Sequence, residues 1–142
     1  TQTSLRNNLE RILLLKRCFL LVVCLGDFDL WISSSQMTDL VYILSDGGKA
    51  SEMPKVLETL RGVRQFVNVY APGEVEIDKM LLTSWQDPED ALMHEVALSL
   101  RVDAIISRNA QDYEGSFMPV LTCSELFEEF KSQGIVYEEI EW

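Results

Sequence analysis

Acidic residues in three parts of this chain have the types and placement to do chemistry. Asp87-Pro88-Glu89-Asp90-Ala91-Leu92 packs three carboxylates around a proline and then turns apolar. Asp39 follows Asp29-Leu30-Trp31-Ile32-Ser33, and Asn109 and Asp112 follow Asp103-Ala104-Ile105-Ile106-Ser107. Oxygen donors that are remote in sequence but brought to one edge of a sheet suit a hard cation, Mg²⁺ or Mn²⁺, and no thiol or imidazole cluster competes for that role. Each acid also has a purely structural reading. Asp87, Pro88 and Asp90 have the types and spacing of an N-cap, a first-turn proline and a capping-box partner. Asp39 near a helix start is favoured by the helix dipole. Asp112 on its own is a surface acid. Capping and metal binding both account for these residues, and residue type alone leaves the choice open.

Elements that could position them follow from the hydrophobic pattern. Residues 4–25 carry Leu5, Leu9, Ile12, Leu13 and Leu15 at a helical period, ended by Gly26-Asp27. Residues 29–33 have strand composition, after which Ser34 or Ser35 can cap a helix through Met37, Leu40, Val41 and Leu44 that stops at Asp46-Gly47-Gly48. A helix over 52–62, a strand over 66–70 and a helix over 74–84 come next. They are followed by a helix over 88–101, strands over 103–107 and 118–121, and a helix over 123–131. Strands separated by helices in this rhythm imply crossovers and parallel pairing. The expected fold is α/β, a three-layer α/β/α sandwich around a parallel sheet, with ligands bound beyond the carboxyl ends of the strands.

The chain has 142 residues, 47% of them apolar and 25% charged, which is material for a single domain over 1–142 with 133–142 as a C-terminal tail. Its 12 basic and 23 acidic residues give a net charge of −11, so the average field repels nucleic acid unless a bound cation reverses it locally. Cys18, Cys24 and Cys123 form no CxxC pair and follow no secretory leader, so a reducing, cytoplasmic setting is expected. The apolar run at 18–25 is far shorter than the roughly 18 residues a membrane span needs and is expected to be core.

The stretches ISSSQMTDLVYIL (32–44), DPEDALMHEVALSLRVDAIISRN (87–109) and QDYEGSFMPVLTCSELFEEF (111–130) together resemble the PIN domain family, in particular its bacterial PilT-like or toxin-like branch. The resemblance spans about residues 5–130 and rests on the order and spacing of the motifs. It implies an α/β/α nuclease in which Asp39, Asp90 and Asp112 are catalytic and, with Asn109, hold Mg²⁺ or Mn²⁺. It further implies cleavage of RNA phosphodiester bonds to leave 5′-phosphates. By position, Ser107 would orient a water or phosphate and Arg108 would touch the RNA backbone. An antitoxin protein and a second copy of the chain are the protein partners such a relative would have, and no membrane is implied.

One part of the family pattern has no counterpart. Family members begin with a central strand ending in an Asp of an LxDTN-like motif, and this chain is expected to lack both strand and acid. Residues 20–29, with Asp27 or Asp29, are a poor substitute because no crossover separates them from the next strand. The tail at 134–142, with Glu138 or Glu139, is the other candidate. The alternative function is therefore a PIN-like binding module with an incomplete metal site. A haloacid-dehalogenase-like phosphatase is disfavoured because Trp31 stands where its motif has Thr, and a receiver domain because Leu121 leads into Thr122-Cys123 without the required Lys. His94 has no second His for an HExxH zinc pair and is expected on the helix surface, one turn from Asp90.

Overall fold

Leu30-Trp31-Ile32-Ser33 forms strand β1 (Leu30–Ser33), which runs parallel to β2 (Val67–Tyr70) with Leu30 opposite Val67 and Ser33 opposite Tyr70. Parallel pairing demands a long crossover. Helices α1 (Ser34–Leu44) and α2 (Met53–Arg64) supply it. The computed structural model describes residues 29–134, and the chain divides into two compact units, Thr1–Pro72 and Gly73–Trp142. The one or two helices expected over 4–25, the apolar run at 18–25, Asp27, and Glu138 and Glu139 of the tail lie outside the described residues.

In the first unit, helix ends are set by local chemistry. Ser33, not Ser34 or Ser35, caps α1: its hydroxyl accepts the N–H of Ser35 at 3.3 Å, and the Gln36 side chain accepts the N–H of Ser33 at 3.0 Å. Of the three serines only Ser33 has a Gln three residues on, which is what the reciprocal box requires. The helix stops as expected at Asp46, Gly47 and Gly48, whose φ values of 53°, 84° and 92° reverse the chain through left-handed backbone. Fully buried Ser45 ties this turn by donating to the carbonyl of Tyr42 and accepting from the N–H of Gly48. Helix α2 starts with Pro54 in its first turn and runs through Gly62 to Arg64. It buries Val56 and Leu60 at helical spacing, with Val67 of β2 also buried. Gly62 does not end it, because the following cap at Gln65 is right-handed and needs no glycine.

In the second unit, α3 (Glu74–Leu81) packs on α4 (Pro88–Leu100). Buried Glu76 joins them: one carboxylate oxygen accepts the N–H of Gly73 at 2.8 Å and the other the Ser99 hydroxyl at 2.8 Å. Helix α3 ends earlier than the expected 84, since the Thr83 hydroxyl accepts the N–H of Trp85 and turns the chain instead. Ala91, Leu92, Val96 and Ala97 of α4 form its core, and a fully buried Leu or Val contributes about 1.5–3 kcal/mol. Arg101 closes α4 in the left-handed region at φ 53°. Strand β3 (Ile105–Ile106) then runs parallel to β4 (Val120–Leu121), Ile105 opposite Val120, before α5 (Cys123–Ser132). Both strands are shorter than their sequence implies. Asp103 and Ala104 are weak strand formers, and Pro119 has no N–H to pair.

The fold is α/β with parallel strands, as the sequence implied, and among the described residues these strands pair two by two. None of the described helices is long and apolar enough to cross a membrane.

Candidate functional site

The acidic stretch that opens α4 divides its labour. Asp87 is the N-cap, its side chain accepting the N–H of Glu89 at 2.9 Å, and Pro88 sits in the first turn. Asp90 is not the expected capping-box partner. Its Oδ1 accepts the hydroxyl of Tyr113 at 3.1 Å. A capping box uses Glu or Gln because the side chain must reach back to the cap, and Asp is one methylene shorter. Asp90 turns instead to a donor 23 residues downstream.

Tyr113 ends a 3₁₀ turn (Ala110–Tyr113) that follows β3 and is only 8% exposed. Several hydrogen bonds hold this turn. The Ser107 hydroxyl accepts the N–H of Asn109 at 3.2 Å, the N–H of Asp112 reaches the carbonyl of Asn109, and that of Ser116 reaches the carbonyl of Tyr113. The Tyr113 ring meets Trp85 edge to face, with centroids 5.6 Å apart and planes at 88°. Trp85 in turn lies against Gly115 so closely that a Cβ there would stand 2.9 Å from its Nε1.

His94 is the other departure from expectation. Far from lying on the helix surface, it is 3% exposed, with Trp85 at 4.9 Å and Phe117 at 5.7 Å between ring centroids. The spacing Ala91, His94, Ala97 puts it on the buried face of α4, a period visible in the sequence once the helix is placed. Its Nε2 accepts the N–H of Phe117 at 3.2 Å, so the ring is neutral with its proton on Nδ1. It is a core histidine and not a metal ligand.

Electrostatics mark Asp90. Burial raises its pKa above the ordinary Asp value, the Tyr113 hydrogen bond opposes that shift, and the charges of Asp87 and Asp112 add to it. Burial likewise pushes the Tyr113 hydroxyl up, followed by the charge of Asp90, so Tyr113 stays a proton donor. Burial lowers His94, against the smaller opposing influence of Glu95. A carboxylate that is partly desolvated and faces like charges gains from a neighbouring cation.

Five of the six candidates lie in the second unit. Asp90 and Asp112 are within electrostatic reach of each other, Asp90 half-buried and Asp112 exposed on the 3₁₀ turn. Asn109 and Arg108 are exposed, and the Ser107 oxygen is engaged with the backbone of Asn109. Asp39 belongs to the first unit, exposed as the sixth residue of α1, whose first turn carries no acid. The dipole therefore does not explain it. Asp29 sits directly before β1, at the end of the strand opposite to where ligands gather in parallel sheets. Among the described residues no three or more His, Cys, Asp or Glu side chains gather as a metal site. Asp90 and Asp112, all-oxygen donors of matching charge, fit part of the set that a hard divalent cation takes. Tyr113 and Trp85 are not among the residues the sequence singles out; the local signal for Tyr113 is an aromatic directly after Asp112, and Trp85 has none.

A family model described as PIN domain matches residues 15–111, more than half of the chain. The match takes in Asp39, Asp90, Ser107, Arg108 and Asn109 and ends one residue before Asp112. No curated protein and no solved structure matches the chain.

Proposed function

The chain belongs to the PIN domain family, a nuclease fold that typically uses divalent metals, and on that premise we propose that it is an Mg²⁺- or Mn²⁺-dependent endoribonuclease that hydrolyses RNA phosphodiester bonds. The observation that carries the reading is the carboxylate of Asp90, raised in pKa by burial, gripped by Tyr113 and facing the charge of Asp112. Asp90 and Asp112 would hold the cation, and Asn109, which opens the turn that carries Asp112 and has its N–H bound by Ser107, would supply a further oxygen. When bound, such a cation offsets charge on the phosphate and lowers the pKa of its water. Arg108, exposed beside Asn109 in sequence, would contact the RNA backbone. At a net charge of −11 the chain has little general attraction for RNA, so binding depends on the local cation and on this residue.

The test is cleavage of a fluorogenic single-stranded RNA in Mn²⁺ by the 142-residue chain and by Asp90→Asn. Losing several kcal/mol of charge stabilisation corresponds to a drop of about 100-fold or more. Folding should change little, because Asn still accepts from Tyr113. Equal, chelator-sensitive cleavage by both chains would make Asp90 a structural residue only. A parent that binds RNA without cutting it in either metal would replace the nuclease by the binding module. Asp39→Asn in the same assay asks whether the first unit takes part.

A further inference from the structure

We propose that Tyr113 is a positioning residue that fixes the orientation in which Asp90 meets a divalent cation. The proposal rests on the reading of Asp90 as a metal ligand and assigns a role to a side chain that does not itself touch metal or substrate. The Tyr113 hydroxyl donates to Oδ1 of Asp90 at 3.1 Å, which leaves Oδ2 as the oxygen to turn toward a cation. A carboxylate on the first turn of a helix otherwise has free rotation about two bonds. One directional hydrogen bond from a fixed donor removes most of that freedom.

The donor is fixed on every side. Tyr113 is buried, its backbone belongs to a 3₁₀ turn closed by the bonds from Asp112 to Asn109 and from Ser116 to Tyr113, and its ring is set edge to face against Trp85. Trp85 cannot retreat or advance freely, because it is held between His94 and the bare backbone of Gly115. The chain of contacts Gly115, Trp85, Tyr113, Asp90 transmits the rigidity of the core to one carboxylate oxygen. Outer partners of this kind orient ligands and tune their basicity, and losing one weakens metal affinity or activity about 10–100-fold. A tyrosine that merely satisfied its own hydroxyl would have no such effect on metal binding.

Titrating Mn²⁺ into the full chain by calorimetry separates the two roles. Tyr113→Phe keeps the ring against Trp85 and removes only the hydroxyl. It should keep its far-UV circular dichroism spectrum, bind Mn²⁺ about 10–100-fold more weakly, and lower kcat on RNA with KM unchanged. In the Asp90→Asn background the same change should weaken Mn²⁺ binding no further, since Tyr113 acts through Asp90. If Tyr113→Phe does not fold, Gly115→Ala is the second variant. Its methyl group must displace Trp85, the ring that sets Tyr113, while removing no hydrogen-bonding group, and weaker Mn²⁺ binding is again expected. A parent that binds Mn²⁺ and a folded variant that binds it equally well would overturn this proposal alone. Additive losses in the double variant would do the same. A parent that binds no Mn²⁺ overturns the metal-ligand reading of Asp90 and this proposal together.

Discussion

The two units bury their polar side chains for different ends. In the first, Ser33 and Ser45 are the buried polar residues among those described, and their side-chain partners lie two or three residues away along the chain. Asn68, donating to the carbonyl of Leu30 on the neighbouring strand at 3.4 Å, is a long-range exception. In the second, Glu76 to Ser99, Asp90 to Tyr113 and His94 to Phe117 each span 23 residues. A local capping bond forms with its helix, whereas a bond across 23 residues exists only once the unit has folded. Breaking the second kind strands a buried partner at a cost of about 1–3 kcal/mol. The difference separates a unit whose buried polar groups are satisfied within their own turns from one whose polar groups are positioned by its tertiary fold.

The largest test of that contrast is His94→Ala. It empties a site packed by Trp85 and Phe117 and takes the acceptor from the Phe117 N–H, so urea unfolding should show a loss of roughly 2–4 kcal/mol. His94→Phe, which keeps the ring, isolates the pH term. His94 has its pKa lowered by burial, so above its ordinary value of about 6.5 the ring is neutral both folded and unfolded. As pH falls below that value the unfolded chain takes the proton first, and stability is lost until the folded pKa is passed. The thermal midpoint of the parent should therefore fall between about pH 7.5 and pH 5, and more steeply than that of His94→Phe. Asp90, raised by burial, acts in the opposite sense, favouring the folded state as pH drops through its raised pKa. The difference between the two chains is thus the quantity to read.

A smaller effect is expected at Gly115. The Cβ of Gly115→Ala meets the indole edge of Trp85 at 2.9 Å, an overpacking that costs about 1–3 kcal/mol and should move the Trp85 fluorescence maximum. Smallest is Ser33→Ala, the loss of one cap in the first unit, at about 1 kcal/mol with RNA cleavage unchanged. If Ser33→Ala costs as much as His94→Ala, the contrast between local and long-range polar burial is wrong.

Much of the second unit's framework was legible beforehand. The Asp87 cap and Pro88 start of α4 follow from residue types, and the helix ran one residue short of its expected end at 101. The stop at Asp46-Gly47-Gly48 was equally plain, because left-handed backbone selects its residues. The strands over 103–107 and 118–121 shrank to two residues each, since apolar composition marks a buried segment without saying how much of it finds a pairing partner. Ser33 and not Ser34 or Ser35 is the cap, and the sequence carries the signal for it in Gln36, three residues on.

What the sequence by itself determined is the local grammar: the alternation of helices and strands, the caps and breakers, the acids worth watching, and the resemblance in which they stand. These depend on neighbours within about four residues, where the backbone leaves few choices. What only the tertiary structure decided is what the side chains of α4 face. Asp90 and His94 have the composition of a capping acid and a surface imidazole. They became a gripped carboxylate and a buried acceptor because folding brought Tyr113 and Phe117 to them from 23 residues away. A hydrogen bond of that span has no signature in local spacing. Its partners are chosen by which groups lose water together when the core closes.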